Sequence, residues 1–267
     1  MESGKLKNAI VTGADGGIGT QFCKALAERK DWRIVLVGIR EEELRRTAED
    51  IAEKYGVETY PLNLDLTRPD CAETLLAFLD EHGLEPDLLI NNAGVFSFCP
   101  LAETPQGKIR TFIDLHVRAV TDLSIAVGRR MARRGSGHIL NMSSMSCWMP
   151  MPGIALYSAT KAYIRVISRA LHYELRDSGV RVTVACPGGI ATDLFGLSKP
   201  LQKFAVAIGV LDTPERFARK AVKKALKGRK QYINGGLNRF SIFFVSILPT
   251  PVRMLVKRKM LDRGIRR

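Results

Sequence analysis

Seven short apolar segments alternate with longer amphipathic stretches along most of this chain, and this alternation constrains the fold more than any other feature. The segments that fit β-strands are Asn8–Val11, Arg33–Val37, Thr59–Leu62, Leu88–Asn91, His138–Met142, Arg181–Ala185 and Gln231–Ile233. Helical periodicity marks the stretches Ile18–Arg29, Glu41–Tyr55, Cys71–Glu81, Gln106–Arg133, Ala155–Asp177 and Pro214–Leu226. Strands that alternate with helices of this length form right-handed β-α-β crossovers, which build a parallel sheet. The sequence therefore predicts the α/β class, with helices on both faces of a doubly wound parallel sheet of about seven strands.

The predicted elements fill one domain and leave a C-terminal extension. A chain of 267 residues can bury a full core within a single α/β domain. The alternating pattern ends near Gly236, and the sequence shows no internal repeat and no low-complexity linker. We therefore predict one domain over residues 1–236. The basic, partly apolar extension over residues 237–267 is expected to pack on or near that domain.

The cysteine content argues against disulfide bonds and against a metal centre. The five cysteines are odd in number and widely scattered, and no two of them form a C-x-x-C pair. The amino terminus reads MESGKLKNAIVTG and lacks the apolar segment of a secretory signal peptide. We therefore expect no bound metal, and a protein that works in the reducing cytoplasm.

A glycine-rich turn follows the first predicted strand directly and opens the first helix. It reads TGADGGIG at residues 12–19, which is a G-x-x-x-G-x-G spacing. Such a strand–turn–helix unit brings backbone N–H groups close to a pyrophosphate, whose negative charge the helix N-terminus favours. A tight turn that binds nothing has the same composition. Because this turn opens a β-α-β series, it predicts a Rossmann-type dinucleotide-binding fold.

A tyrosine and a lysine lie four residues apart on the predicted helix 155–177. Tyr157 and Lys161 can therefore face the same space. A free tyrosine has a pKa of about 10, and a nearby ammonium lowers that value because it stabilises the phenolate. The pair can then exchange a proton with a carbonyl or alcohol oxygen while hydride moves to or from carbon. Ser143 and Ser144 follow the fifth predicted strand, at the edge where parallel sheets bind ligands.

Together these motifs resemble the short-chain dehydrogenase/reductase family. The resemblance rests on TGADGGIG, on NNAG at residues 91–94, and on Ser144, Tyr157 and Lys161, and it covers about residues 6–195. It implies an NAD(P)-dependent oxidoreductase that acts on alcohol and carbonyl groups. In it, Ser144 would hydrogen-bond the reacting oxygen, Tyr157 would be the general acid/base, and Lys161 would hold the nicotinamide ribose and lower the tyrosine pKa. Ser143 is the neighbouring candidate for the serine role.

The resemblance also implies a set of cofactor-binding residues. Asp65 and Leu66 would flank the adenine, the NNAG segment would wall the cofactor, and Thr192 would meet the carboxamide. The implied set is Gly13, Asp15, Gly17, Ile18, Gly19, Ile39, Arg40, Asp65, Leu66, Asn91, Ala93, Gly94, Tyr157, Lys161, Pro187, Gly188, Ile190 and Thr192. The Asn91-Asn92 pair also fits a β-turn that supports the sheet, and both interpretations can hold together.

One position departs from the family pattern. Many members carry an asparagine in the middle of the long helix, where the resemblance implies a part in a water-linked proton relay to the lysine. This chain has His116 at that place. Imidazole can both donate and accept a hydrogen bond, so His116 is a catalytic candidate. The alternative is a packed helix residue without a catalytic part.

The end of the second predicted strand bears on the choice of nicotinamide. An acidic residue there would bind a ribose 2′-hydroxyl and repel a 2′-phosphate. This chain has Ile39 and Arg40, with no acid before Glu41, and the guanidinium fork of Arg40 suits a phosphate. Asp15 stands in the turn where NADP-preferring members often carry a basic residue. On balance we predict NADP (NADPH) over NAD.

The loops expected to close the substrate pocket are apolar. They span residues 95–100, 145–154 and 191–210, and the middle loop is rich in Met and Trp. Such a lining favours a hydrophobic ketone or secondary alcohol, such as a steroid or a lipid, over a sugar. We expect a homodimer or other homo-oligomer, and these residues also fit packing beneath a lid or at such a subunit contact. The alternative functions are a 3-oxoacyl-thioester reductase of lipid synthesis and a non-catalytic, NADP-sensing regulatory protein.

The net charge of +14 lies entirely in the last fifth of the chain. Residues 214–267 contain 16 Lys and Arg against 2 Asp and Glu, whereas residues 1–213 contain 25 of each kind. Such an end fits an anionic partner or a solvated helix face. The apolar segment 240–248 is too short to span a bilayer, but an amphipathic segment can lie on an anionic membrane surface. We expect a hydrophobic small-molecule substrate and peripheral membrane association, and we do not expect nucleic acid as a partner.

Overall fold

Seven parallel strands form one sheet in the order β3-β2-β1-β4-β5-β6-β7. The computed structural model describes residues 6–190 and 211–260. The strands are β1 (Lys7–Thr12), β2 (Trp32–Gly38), β3 (Thr59–Asn63), β4 (Pro86–Asn91), β5 (Gly137–Met142), β6 (Val180–Ala185) and β7 (Gln231–Tyr232). Each neighbouring pair runs parallel. The predicted doubly wound α/β fold is confirmed.

The helices connect these strands and continue past the last one. They are α1 (Gly17–Ala27), α2 (Glu41–Tyr55), α3 (Cys71–Glu81), α4 (Gln106–Ile113), α5 (Val120–Arg134), α6 (Ala155–Glu174), α7 (Pro214–Leu226), α8 (Gly236–Ser246) and α9 (Thr250–Met260). Short 3₁₀ turns occupy Leu101–Glu103 and Met145–Trp148. Helices α2 and α5 end where Gly56 (φ 66°) and Gly135 (φ 78°) adopt the left-handed conformation that terminates a helix.

The long helix predicted over 106–133 is interrupted, so that prediction was wrong in its middle. A π-helical segment, Asp114–Ala119, separates α4 from α5 and contains His116. A π segment inserts an extra residue into the helical turn and often occurs at functional sites. The insertion changes which side chains of the helix face the sheet.

Neighbouring residues of a strand point to opposite faces of the sheet. Helices cover both faces, so the side chains on each side are buried. Val11 belongs to an apolar cluster that includes Phe22 of α1 and Phe217 of α7. The adjacent Ile10 belongs to a second cluster, which includes Leu75 of α3 and Val127 of α5. Burial on both faces explains why the strands are continuous apolar runs in the sequence.

The strand order reverses between β1 and β4, and a crevice opens beyond their carboxyl ends. Thr12, at the end of β1, holds the two strand ends in register. Its hydroxyl oxygen accepts the backbone N–H groups of Asn92 at 2.9 Å and Ala93 at 3.0 Å. The glycine turn and the NNAG segment are thereby placed next to each other at one opening.

The described part of the extension forms α8 and α9, and α8 packs on the domain beside this opening. Asn238 lies directly against Gly188, where a Cβ would overlap its side chain. The Ser241 hydroxyl lies 3.8 Å from the sulfur of Met145. None of the described helices combines the length and the apolar character needed to cross a bilayer.

Candidate active site

A cavity of about 720 Å³ occupies the crevice and joins the glycine turn to the Ser144–Tyr157–Lys161 group. Ser144 and sixteen of the eighteen residues assigned to the cofactor line it. The two exceptions are Asn91, which is buried elsewhere, and Thr192, which lies outside the described residues. The predicted residues that line the cavity come from seven separate segments of the chain.

The glycine turn is built for a close backbone approach. Gly13 has a φ of 65°, and a Cβ there would stand 2.9 Å from the Cα of Ala93. A Cβ on Gly19 would overlap the carbonyl oxygen of Gly13. Helix α1 begins at Gly17, and its N-cap residue, Gly16, has no side chain to occupy the free N–H groups. The turn therefore fits a pyrophosphate, which these N–H groups and the helix N-terminus would bind.

Two further residues shape this opening: Thr12, which had no assigned role, and Asn92 of the NNAG segment that was expected to wall the cofactor. Thr12 bridges the ends of β1 and β4, and the Asn92 amide donates to the carbonyl oxygen of Thr12 at 3.0 Å. A longer contact of 3.3 Å joins the same amide to the Gly13 carbonyl oxygen. Thr12 opens the TGADGGIG motif but was not predicted to have a role, whereas Asn92 lines the cavity as the NNAG segment was expected to do.

Asn91 does not wall the cavity, contrary to expectation. It is 3% exposed, and its amide donates to Asn141 at 2.8 Å and to Ser124 at 3.1 Å. Asn141 in turn donates to the Ser168 hydroxyl at 2.9 Å. This buried network ties β4 and β5 to α5 and α6, and Asn92 lines the cavity instead. The Asn91-Asn92 pair was expected to wall the cofactor or to support the sheet, and Asn91 supports the sheet.

Arg40 and Asp15 form a joint structure at the rim of the cavity. The Asp15 carboxylate accepts the Arg40 backbone N–H at 3.2 Å and its Nε–H at 3.1 Å, and the Arg40 Nη2 donates to the Asp15 carbonyl oxygen. The Asp15 side chain is 8% exposed and the Arg40 side chain 51%. Asp15 therefore orients the guanidinium while Arg40 keeps much of its surface open. Ile39 beside it is 64% exposed and also lines the cavity.

Tyr157 and Lys161 are buried side by side at the inner end of the cavity. The Lys161 ammonium donates to the Met142 carbonyl oxygen at 2.9 Å and lies 5.7 Å from the centre of the Tyr157 ring. Burial lowers the pKa of Lys161 to about 8. Burial also raises the pKa of Tyr157 above its ordinary value, and a hydrogen bond with Ser144 offsets part of that rise. The expected lowering of the tyrosine pKa is therefore not found, because burial of the phenol outweighs the other influences.

The two serines after β5 take different positions. The Ser143 hydroxyl donates to the Lys161 carbonyl oxygen at 2.7 Å, and its backbone N–H donates to Ala185 at 2.8 Å. The Ser144 hydroxyl oxygen accepts the Ser146 N–H at 3.1 Å and keeps its own hydrogen for Tyr157 or a ligand. The geometry therefore favours Ser144 for contact with a reacting oxygen, and Ser143 anchors the helix that carries Lys161.

His116 lies directly behind this group, with both ring nitrogens in hydrogen bonds. Its Nε2 accepts the Val95 N–H at 3.0 Å, so Nδ1 carries the proton and donates to the Thr160 hydroxyl at 3.0 Å. Thr160 donates onward to the Tyr157 carbonyl oxygen at 3.0 Å. Burial, and to a smaller extent the charge of Lys161, lowers the pKa of His116 to about 2. The imidazole is therefore neutral, and it ties the loop after β4 to the helix that carries Tyr157.

The Met- and Trp-rich loop was expected to line the substrate pocket, but most of it faces elsewhere. Met149 and Met151 line a separate hollow of about 420 Å³ against Ala159 and Ala162 of α6. Trp148 packs under the guanidinium of Arg165, whose carbon is 4.4 Å from the ring centre. No cluster of three or more His, Cys, Asp or Glu side chains within the described ranges is arranged to hold a metal ion.

A dinucleotide cradle and a proton-transfer group share one cavity, which is the arrangement of a nicotinamide-dependent oxidoreductase. The family model for short chain dehydrogenase matches residues 7–201. The chain therefore belongs to the short-chain dehydrogenase/reductase family, and it is an enzyme of the class that acts on carbonyl and hydroxyl groups.

Curated relatives and solved structures agree with this assignment. Very-long-chain 3-oxoacyl-CoA reductase of Anas platyrhynchos is 34% identical over 253 residues, which are 92% of this chain and 77% of the relative. The Homo sapiens protein of the same name is 32% identical over 235 residues, or 86% and 71% of the two chains. A short-chain dehydrogenase from Sphingobium yanoikuyae in complex with NADPH superposes with a TM-score of 0.77 at 26% identity, covering 90% of this chain and 92% of that one. A 7β-hydroxysteroid dehydrogenase structure gives a TM-score of 0.82 at 29% identity, with 95% and 96% covered.

Proposed function

We propose that this oxidoreductase uses NADPH to reduce the ketone of a long, apolar 3-oxoacyl thioester. One observation carries the proposal: the cavity that fits the cofactor also has an apolar wall beside Tyr157. Relatives named very-long-chain 3-oxoacyl-CoA reductase support this choice among hydrophobic carbonyl substrates. From the sequence alone, a steroid- or lipid-like ketone was the expected substrate and a 3-oxoacyl thioester was an alternative. The proposal now prefers the thioester.

Each catalytic side chain has a part in this reduction. Tyr157 gives its phenolic proton to the carbonyl oxygen, and Ser144 donates a hydrogen bond to the same oxygen as negative charge develops on it. A nicotinamide held in the cavity beside Tyr157 and Lys161 would supply the hydride. Lys161, buried beside the phenol, stabilises the phenolate that remains. His116 supports the Tyr157 helix as a neutral imidazole and transfers no proton in the reaction.

An apolar wall beside Tyr157 suits an acyl chain. Val95, Leu115 and Ile190 line the cavity, and the ring of Phe96 meets that of Tyr157 edge-on with the centres 5.0 Å apart. Farther along the same loop, Phe98 and Leu101 are 41% and 50% exposed. These side chains give a long acyl chain more apolar surface than a small polar ketone can use.

The NADP preference rests on Arg40. Its guanidinium lines the cavity, is half exposed and is oriented by Asp15, so it can meet a 2′-phosphate with charge-assisted hydrogen bonds. Two acids, Asp15 and Glu43, pair with Arg40 at this rim, at 3.1 Å and 3.7 Å. The NADPH in a related solved structure is consistent with this choice.

The test is a chain-length series of 3-oxoacyl-CoA esters, given to the purified full-length protein with NADPH and followed by NADPH absorbance. We expect kcat/KM to rise with length by up to roughly fourfold per buried methylene group. Tyr157→Phe should remove turnover, and Tyr163→Phe is the matched control because Tyr163 lies on the same helix with its hydroxyl hydrogen-bonded to Thr121. A flat dependence on chain length, or faster turnover of a sugar ketone, would contradict the proposed substrate class.

A steroid ketone is the second candidate, favoured by the similarity to a 7β-hydroxysteroid dehydrogenase. The same apolar wall suits a rigid ring system. Comparing kcat/KM for a 7-oxosteroid with that for a long 3-oxoacyl-CoA ester decides between them. A higher value for the steroid would replace the thioester in the proposal.

We further propose that the enzyme forms a homo-oligomer through the outer face of α6. Val166 and Tyr173 on this helix are 62% and 55% exposed, and Tyr163 is also exposed. Exposed apolar side chains grouped on one helix are typical of a subunit contact. Analytical ultracentrifugation should give a mass that is a multiple of the monomer, and Val166→Glu should reduce it.

A further inference from the structure

Exposed apolar side chains are concentrated on the last two helices. Within the described residues, six large apolar side chains between positions 240 and 255 are more than a third exposed. They are Phe240 (66%), Phe244 (49%), Ile247 (60%), Val252 (39%), Met254 (40%) and Leu255 (51%). Phe240 and Phe244 stand one helical turn apart with ring centres 4.9 Å apart, so they form a continuous stripe. We call α8 and α9 together the C-terminal helix pair.

The opposite side of α8 is held by the domain, so the stripe faces outward. Asn238 donates to the Asn234 carbonyl oxygen at 2.9 Å and packs on Gly188, and Ser241 contacts Met145. Ile242 is partly buried on the same helix. The apolar stripe is therefore a surface of a fixed helix. It is an exposed patch of the kind that marks an interaction site.

The charged residues of the C-terminal helix pair are all of one sign. Residues 236–260 include five Lys and Arg and no Asp or Glu. Arg239 is exposed next to Phe240, and Arg253 joins the two helices through a hydrogen bond of 3.2 Å to the Ser246 carbonyl oxygen. Apolar side chains interleaved with cations are typical of helices that lie in the surface of an anionic bilayer.

We propose that the C-terminal helix pair docks this enzyme on an anionic lipid surface. Each helix has 11 residues and is about 16 Å long, which suits a position in the plane of the interface. A second copy of the chain fits the patch less well, because an isologous contact would bring two sets of positive charge together without an acidic partner.

The helix that carries the docking surface contacts a residue of the active-site cavity. Gly188 lines the cavity, and the Asn238 side chain of α8 packs against it, so the helix that carries the apolar stripe is one residue removed from the cavity wall. Docking would therefore bring the cavity close to the bilayer from which a long acyl substrate can enter. This last step rests on the proposed function, whereas binding to lipid does not.

The experiment measures co-sedimentation of the full-length protein with vesicles of phosphatidylcholine, with and without phosphatidylglycerol. We expect binding only to the anionic vesicles, and weaker binding as salt is added. Phe240→Ser combined with Phe244→Ser should reduce that binding at least about tenfold. The matched control is Leu6→Ser combined with Ile113→Ser, which removes two exposed apolar side chains outside both the C-terminal helix pair and the proposed α6 contact and should leave vesicle binding unchanged.

The outcomes separate this proposal from the function proposed above. Equal binding of the wild type and the Phe240/Phe244 variant, or equal binding to neutral and anionic vesicles, would overturn the docking surface. A fall in solution mass in the same variant without vesicles would assign the patch to self-association and also overturn it. Vesicle binding without turnover of any 3-oxoacyl ester would leave the docking surface supported and contradict only the substrate. With both correct, the Phe240/Phe244 variant should reduce a short, water-soluble ester normally and lose rate on vesicle-borne substrate.

Discussion

Replacing His116 with asparagine should change how the stability of this protein depends on pH. The imidazole is fully buried in the folded state, and its pKa is lowered to about 2. In the unfolded chain a histidine has a pKa of about 6.5. Between these pH values, folding therefore requires His116 to lose a proton. Lowering the pH in this range reduces the free energy of unfolding.

The size of the effect follows from that difference. Stability is complete above about pH 6.5 and falls by up to about 1.4 kcal/mol for each pH unit below it. Between pH 7 and pH 5 the wild type should therefore lose about 2 kcal/mol through this one residue. His116→Asn has no titrating group and should lose that part of the slope. At pH 7 it should be less stable by about 1–3 kcal/mol, because a shorter amide cannot reach both Val95 and Thr160.

Urea unfolding at pH 7 and pH 5, followed by tryptophan fluorescence, measures both quantities. Other titrating groups are the same in both proteins and cancel in the difference. Thr160→Val is a matched control, since it removes the Nδ1 partner but keeps the buried imidazole. That variant should be less stable at both pH values and keep the wild-type slope.

An unchanged slope in His116→Asn would show that the imidazole is not held neutral by burial. The kinetics give an independent check. If His116 only positions the Tyr157 helix, His116→Leu, whose side chain unlike asparagine has no hydrogen-bonding group for a relay, should keep the wild-type pH profile of kcat, even where kcat itself is lower. A shifted profile would restore the proton-relay hypothesis for this residue.

Two further predictions concern catalysis and cofactor choice. Tyr157→Phe should lower kcat roughly 10²–10⁴-fold and leave NADPH binding unchanged by fluorescence titration, since the lost hydroxyl acts on the substrate oxygen; substantial remaining turnover would remove Tyr157 from the mechanism. Arg40→Ala should weaken NADPH binding by about 1.5–3 kcal/mol and leave NADH binding nearly unchanged, because only the 2′-phosphate gains from the guanidinium. Arg45→Ala on the exposed side of α2 is the control, and equal losses for the two cofactors in Arg40→Ala would remove the NADP preference.

The fold was predictable from the sequence because its signals are local and repeated. Strands buried on both faces must be apolar throughout, and β2, β4, β5 and β6 match the predicted segments within two residues at each end. Helix α2 has the predicted bounds because Gly56 ends it in the left-handed conformation. The main fold errors lie where tertiary contacts override local periodicity, above all in the π segment 114–119.

The candidate site was predictable in its membership and less so in its geometry. Successive side chains of a strand point to opposite faces, so a shift of one residue in the end of the strand reverses the direction of the last side chain. The sequence alone does not fix that last residue. Asn91 therefore lies in the buried network with Asn141, while Asn92 turns back to Gly13. Likewise, the motif spacing places His116 beside the site but cannot reveal that Val95 and Thr160 occupy both of its nitrogens.

Burial is the quantity that spacing cannot supply, and for Tyr157 it bears on the direction of the reaction. The four-residue spacing to Lys161 predicts a lowered phenol pKa, whereas the buried phenol has a raised one. A raised pKa keeps the proton on Tyr157 at neutral pH, and reduction of a ketone needs that proton, while oxidation of an alcohol needs the phenolate. We therefore expect ketone reduction to have its full rate at neutral pH and alcohol oxidation to rise with pH toward the alkaline range. Initial rates in both directions from pH 6 to pH 10 measure this, and an oxidation rate already at its maximum at pH 7 would mean that the tyrosine ionises despite its burial.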